Sequence, residues 1–174
     1  MNDLPVTNSE VNETPYDNIA SLTDASDLVI VGEVLAVRSI GTPDEAEDPH
    51  ASEYFMVTVQ PEKTLKGTAP SAVTIAWEGF ITDGSGNRTL RVERSGVGMP
   101  ELGMRVLLYL LEESRERSDF FGGEISHRLN TLDGILFVGA DGRLTTPLHG
   151  ENRPAHQLSG SKVDEIGSLS EASG

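Results

Sequence analysis

The chain has 174 residues, of which 28 are acidic and 13 basic, giving a formal net charge of -15 at pH 7. This length can bury a sizeable core in one domain, and the absence of cysteine excludes disulfides, thiolate zinc sites and cysteine nucleophiles. Because phosphate binding depends on lysine and arginine, so acidic a chain argues against nucleic-acid partners and anionic membrane surfaces.

The N-terminal segment is polar, so residues 1–13 are predicted to form a disordered acidic tail before a folded domain at residues 14–150. The sequence contains neither an apolar run of transmembrane length nor a visible export signal. A tail of this kind would serve as a tether if a signal had been removed. We therefore expect an extracellular or cell-envelope protein without direct membrane insertion, and a cytoplasmic location stays open.

A short helix and a curved strand are predicted at the start of the domain. Thr14-Pro15-Tyr16-Asp17 has a capping residue, a proline at the first helical position and an acid, so it predicts a helix start, with the helix ending near Ser26. The run from Leu28 to Val37 is too continuously apolar for a one-sided strand and indicates a buried one. Gly32 marks its bend, because glycine inside a strand often accompanies a bulge or a barrel corner.

Further strands follow an acidic loop at residues 41–53, which contains five carboxylates and no lysine or arginine. Four of them could gather divalent cations weakly, but a solvated loop is the simpler interpretation: Asp44, Glu45, Glu47 and Asp48. The pattern of apolar residues and turn residues predicts strands at 54–59 and 73–78, a hairpin of 80–81 with 90–92, a central strand at 105–111, and a hairpin of 134–138 with 143–144.

The C-terminal segment, residues 151–174, is polar. Ser161-Lys162-Val163-Asp164 matches the capping-box pattern, which predicts a short helix. Val163 and Ile166, with Leu169 as a further member, would then dock one stripe of this helix on the barrel.

Three stretches carry a resemblance to a known family: Ala25 to Val34, Lys63 to Gly67, and Leu102 to Leu110, with Asp133 to Val138 as a weaker fourth. They resemble the netrin-like and tissue-inhibitor-like β-barrels, OB-fold relatives that also occur as bacterial envelope domains. The resemblance implies a mainly β fold, an OB-like five-stranded Greek-key barrel with flanking helices. Animal members inhibit metalloproteases through an N-terminal cysteine, which this chain lacks, so the resemblance carries over no function.

Metal and cofactor sites are not expected from the sequence. The segment from Asp83 to Asn87 superficially resembles a calcium loop, but the twelfth position, where an EF-hand has glutamate, is Arg94. A bare hairpin turn is the simpler interpretation. The four histidines match no zinc motif by their spacing: His50, His127, His149 and His156.

No catalytic residue is assigned, because the chain lacks the G-x-S-x-G elbow and a phosphate-binding loop. A triad assembled from residues distant in the sequence stays open as an alternative. Such a hydrolase would place a serine within hydrogen-bonding reach of a histidine held by a carboxylate, in a cleft.

The candidate binding residues are Trp77, Arg88, Arg91 and Arg94. Trp77 is the sole tryptophan, and its strand pattern indicates the core or core rim, with a ligand platform as the alternative. The three arginines lie within seven positions of an otherwise acidic chain. They could receive a carboxylate of a partner, or they could pair with Glu93 and nearby acids.

These observations favour a non-catalytic interaction module that binds a protein or cell-envelope component. Contacts are expected from the loops at residues 41–53 and 79–103, because barrel strands fix the scaffold while loops vary. Such a module would expose apolar or arginine-bearing loops and would have no deep polar pocket. The alternatives are a hydrolase and a structural accessory domain of an envelope protein.

Overall fold

The structure, a computed structural model, describes residues 4–9, 16–43, 51–83, 85–94, 96–148 and 154–166. Its strands are β1 (Val6–Ser9), β2 (Leu28–Gly41), β3 (Ser52–Lys66), β4 (Val73–Thr82), β5 (Arg88–Arg94), β6 (Arg105–Glu112), β7 (His127–Leu129), β8 (Ile135–Val138) and β9 (Leu144–Thr145). Its helices are α1 (Ile19–Ala25), α2 (Arg115–Phe120) and α3 (Pro154–Leu158), with 3₁₀ turns at Leu132–Gly134 and Val163–Glu165.

The described strands form one strongly curled sheet with the shape of half a barrel. Its order is β1-β5-β4-β3-β2-β6-β8-β9, and β7 also pairs with β6. β1 and β5 are parallel, and the other strand pairs are antiparallel. The prediction of a mainly β, barrel-like fold is confirmed, but this sheet has nine strands among the described residues, not five.

The sheet bends along the pairing of β2 with β3. Their pairing has register shifts at four places, and one of them lies between Val31 and Gly32. A Cβ atom on Gly32 would lie 2.5 Å from the carbonyl oxygen of Gln60 and 2.7 Å from Val59 Cγ1, so the two strands approach closely because glycine has no side chain. The predicted irregularity at Gly32 is confirmed. The strand predicted at residues 54–59 is longer in the structure, because β3 continues through Pro61 to Lys66.

The curl brings β4 against the segment that leads into β7, and we call this junction the seam. The Thr74 N–H donates to Ser126 Oγ at 3.0 Å, and the Ser126 N–H donates to the Thr74 carbonyl oxygen at 3.1 Å. The Thr74 hydroxyl donates to the carbonyl oxygen of Glu124 at 2.6 Å. Side-chain hydroxyls therefore take part in joining the two arms of the curled sheet.

The core is centred on β6, which pairs with β2 on one side and with β7 and β8 on the other. Five consecutive residues of β6, Val106 to Leu110, are fully buried. A continuous apolar run is expected where both faces of a strand are covered, and the prediction of a central strand here is confirmed. The two predicted hairpins, β4 with β5 and β8 with β9, are also confirmed.

The N-terminal region differs from the prediction. Val6–Ser9, within the segment predicted to be disordered, form β1 against β5. The cap of α1 is Asn18, whose side chain accepts a hydrogen bond from the Ser21 N–H at 2.8 Å, and not Thr14, which lies outside the described residues. The predicted acidic loop also lies largely outside them, since residues 44–50 are not described.

The C-terminal region also differs from the prediction. Residues 154–166 pack on the domain, because α3 buries Ala155 completely and the Ile19 N–H of α1 donates to Gln157 Oε1 at 3.0 Å. The helix predicted from Ser161 is one 3₁₀ turn, Val163–Glu165, followed by residues outside the described part. Among the described residues, no helix combines the length and apolar character needed to cross a membrane.

Candidate functional site

A cleft of about 360 Å³ lies beside the seam. It occupies a fork along the edge of β4 that faces away from β3. The seam holds β4 at Thr74, whereas β5 pairs with it only at residues 80–82. Between these two points no other described strand is hydrogen-bonded to this edge, although β7 lies beside it. The volume lies in the range of small-ligand sites, so the fork is large enough to receive a molecule or a short piece of chain.

The floor of the cleft is apolar. Val92 of β5 and Val97 are buried there, and Leu129 of β7 lines the opposite side of the cleft. Trp77 is partly buried, packs against the core and lines the cleft. The structure thus places Trp77 at the core rim and also within the cleft, so an indole surface is available to a ligand.

An aromatic wall stands on the other face of β4. The rings of Tyr54 and Phe121 have centroids 5.0 Å apart, and Phe120 packs edge-on against Phe121 at 5.0 Å. The Arg117 guanidinium lies 5.8 Å from the Phe121 ring centroid. α2 therefore closes one side of the cleft, and its start is fixed by Ser114, whose hydroxyl accepts from the Arg117 N–H at 3.2 Å.

Three arginines and two glutamates give the cleft its charge. Arg94 donates to Glu78 at 2.7 Å. Arg117 and Arg128 lie 3.4 and 3.7 Å from the same carboxylate oxygen of Glu113, whose side chain is only 2% exposed. Three positive charges against two negative ones leave one positive charge, on a chain whose net charge is -15.

The arginine side chains remain open to solvent: 54% of Arg94, 62% of Arg117 and 49% of Arg128 are exposed. The contacts of Arg117 and Arg128 with Glu113 are longer than the usual 2.7–2.9 Å of a charge-assisted hydrogen bond. Since a guanidinium has five N–H donors, most donors of these two groups remain for a ligand.

Two of the four predicted binding residues, Trp77 and Arg94, meet in the cleft, and the other two lie elsewhere. Arg88 binds Glu53 through two hydrogen bonds of 2.7 and 3.1 Å and lies 4.3 Å from the Phe80 ring centroid. Arg91, next to Glu93 at 3.8 Å, alternates with Arg94 along β5 and therefore points to the opposite face. The three arginines do not form a common patch.

Glu53 is held as a carboxylate by its partners. Partial burial acts to raise the pKa of Glu53, but hydrogen bonds from Arg88 and Ser39, together with the charge of Arg88, outweigh it and lower the pKa. The Ser39 hydroxyl donates to Glu53 Oε2 at 2.6 Å. Arg88 therefore belongs to a structural ion pair between β3 and β5.

No motif in the sequence indicates the charged residues on the α2–β7 side of the cleft, Glu113, Arg117 and Arg128. Glu113 and Arg117 belong to the charged run that follows the central strand, and Ser114 within this run is a helix-capping signal. Arg128 follows a histidine in an unremarkable context. They approach Trp77 and Arg94 only because the sheet curls.

A serine and a histidine are in contact near the seam. His127 Nδ1 lies 2.8 Å from Ser126 Oγ, and the His127 ring is buried. Burial lowers the pKa of His127, while the charges of Glu112 and Asp27 act to raise it. The Ser126 hydroxyl is engaged with the Thr74 backbone, and in the described part of the chain no carboxylate hydrogen-bonds to the imidazole, so the third member of a triad is absent there.

The turn at Asp83 uses its carboxylate internally. Asp83 Oδ1 accepts hydrogen bonds from the N–H groups of Asn87 at 3.0 Å and Ser85 at 2.8 Å, and these bonds lower the pKa of Asp83. This pattern is typical of a side chain that closes its own turn. Across the residues described, no group of three or more histidine, aspartate and glutamate side chains could hold a metal ion.

Comparison with models of known protein families and with curated proteins finds no match to this sequence. The cleft must therefore be interpreted from its own geometry.

Proposed function

We propose that this protein is a non-catalytic binding module whose cleft receives a carboxylate-bearing segment of a protein or cell-envelope component. The observation that carries the proposal is the set of three half-exposed arginines, Arg94, Arg117 and Arg128, around an apolar floor. Guanidinium groups recognise carboxylates with two parallel hydrogen bonds, and they are enriched at the centres of protein interfaces.

The charge of the remaining surface supports a site confined to the cleft. Because the chain is strongly acidic, an acidic ligand is repelled over most of the surface and attracted only where arginines gather. Such like-charge repulsion suppresses wrong docking poses, so it adds specificity. An extracellular or envelope location is part of the proposal, because high negative charge also favours colloidal stability outside the cell.

The proposal includes an OB-like core of five strands. Supporting it is the order β4-β3-β2-β6-β7, in which each neighbouring pair is antiparallel. With five strands, the first and last then run in the same direction, and β4 and β7 are the strands that meet at the seam. The remaining strands, β1, β5, β8 and β9, would be additions to this core.

Trp77 offers a direct assay, because the sole tryptophan lines the cleft. The probe is a blocked peptide of nine residues in which glutamate alternates with valine, titrated while tryptophan emission is recorded. A peptide with glutamine in place of glutamate should bind at least tenfold more weakly. Losing one charge-assisted contact costs about 1.5–3 kcal/mol, so Arg128→Gln should lower the affinity roughly tenfold to a hundredfold.

Arg91→Gln is the matched control, because Arg91 has a similar exposure, 44%, but lies on the opposite face of β5 from Arg94. Its affinity should equal that of the unmodified protein, whereas Arg94→Gln should behave like Arg128→Gln. Equal binding of the glutamate and glutamine peptides would refute the proposal. If Arg91→Gln and Arg94→Gln lose the same affinity for the peptide, the peptide is attracted by the charge of β5 as a whole and is not bound in the cleft.

A further inference from the structure

The open edge of β4 presents backbone groups to the cleft. Thr74 directs both its N–H and its carbonyl oxygen away from β3 and toward the seam. Backbone groups of alternate residues point to the same edge of a strand, and Ala76 and Glu78 keep the register of Thr74 against β3. The N–H and carbonyl groups of Ala76 and Glu78 therefore face the cleft.

These four groups make no hydrogen bond to any residue in the described part of the chain. An uncovered strand edge is a ready template for another extended chain, and native proteins usually cover or blunt such edges. Here the edge lines the cleft together with Trp77 and the arginines.

The two faces of β4 differ in chemistry. Glu78 and Tyr54 are cross-strand partners on one face, and Arg94 contacts Glu78 there, while Phe121, next to Arg117, packs on Tyr54. Trp77, one residue away, projects to the other face. A strand added to this edge would meet arginines on one side and the indole on the other.

We propose that the ligand segment binds as an additional strand on the open edge of β4, in an extended conformation with acidic and apolar residues alternating. The inference rests on the proposed binding function and adds to it the mode of recognition. Main-chain hydrogen bonds to Ala76 and Glu78 supply affinity, as in other complexes formed by strand addition. Carboxylates at alternate positions reach Arg94 and Arg117, and the residues between them cover Trp77.

The test uses two N-methylated forms of the alternating peptide, titrated with Trp77 emission as the signal. In one form all glutamate amides are methylated, and in the other all valine amides. Along a strand the N–H groups that face one neighbour belong to alternate residues, so only one of the two sets faces β4. One form should lose at least tenfold in affinity relative to the other. Equal affinities of the two forms would overturn strand addition.

Amide hydrogen exchange gives a second readout with an internal control. Peptide binding should slow exchange at Ala76 and Glu78 and leave Ile75 and Trp77 unchanged, because the latter two already face β3. Unchanged exchange at Ala76 and Glu78 on saturation would contradict the inference. A second outcome would also overturn the inference. If these two amides become more protected as protein concentration rises without peptide, the edge binds a second copy of the chain.

The two proposals fail in different ways. If the unmethylated peptide gives no signal that depends on Arg128, the binding function itself is wrong. If it binds in an Arg128-dependent way but methylation of either amide set has the same effect, the cleft captures side chains alone, and only strand addition is wrong.

Discussion

Replacing Tyr109 with phenylalanine should stabilise the protein. Tyr109 is fully buried, and its hydroxyl has no hydrogen-bond partner among the described residues. Thr23 comes close enough to influence the pKa of Tyr109, which burial raises well above its usual value, but the Thr23 hydroxyl donates to the Ile19 carbonyl oxygen at 2.7 Å. No described atom, Thr23 included, meets hydrogen-bond geometry with the Tyr109 hydroxyl, which is therefore unsatisfied.

Burying a hydroxyl without a hydrogen bond costs roughly 1–3 kcal/mol, and the packing lost with one oxygen atom offsets a part of this. We expect Tyr109→Phe to raise the free energy of unfolding by about 1 kcal/mol, or Tm by about 3 °C for a chain of this size. Urea unfolding followed by the emission of Trp77 measures the difference.

Tyr16→Phe is the matched control, because the Tyr16 hydroxyl donates to Asn130 Oδ1 at 2.9 Å. Removing this partner should lower the free energy of unfolding by about 1 kcal/mol. The two substitutions delete the same atom and should act with opposite signs. A loss of stability in Tyr109→Phe equal to that in Tyr16→Phe would refute the reasoning.

Two further substitutions test the scaffold by the same urea assay. Arg88→Gln should cost about 3 kcal/mol, because it removes charge-assisted bonds to Glu53 and a cation–π contact, and a loss below about 1 kcal/mol would contradict the structural role. Gly67 and Gly86 both have positive φ, +80° and +83°, so alanine at Gly86, where nothing crowds the new methyl group, should cost about 1 kcal/mol. Gly67→Ala should cost at least twice as much, because its Cβ would collide with the Asp27 carbonyl oxygen; equal losses would show that the backbone yields there.

Local patterns in the sequence were sufficient to predict β2 to β6, β8 and β9, and both hairpins. Apolar continuity located β6, and turn residues located the loops of the hairpins, because these signals lie within a few residues of one another. β1 could not be predicted in this way. Its four residues are extended because they pair with β5. This strand is distant in the sequence, since Val6 pairs with Arg91, 85 positions later.

The sequence predicted candidate residues only on the β4–β5 side of the cleft. Trp77 and Arg94 carry signals of their own, as the sole tryptophan and as an arginine in a basic group. Arg117 and Arg128 approach Glu113 within one arm of the sheet. They become functional candidates only because the curl of the whole sheet brings this arm to Trp77 and Arg94. Arg91 points away from the cleft because the faces of β5 alternate, and Arg88 is held at the other end of β5 by Glu53.

The place of β2 in the sheet has a consequence for how the protein loses its structure. On one side β2 pairs with β3, which connects to β4, β5 and β1, and on the other it pairs with β6, which connects to β7, β8 and β9. The two arms lose the strand that aligns them with each other when β2 unfolds, so they should unfold in one cooperative transition. A single indole on one arm then reports the thermodynamic state of both.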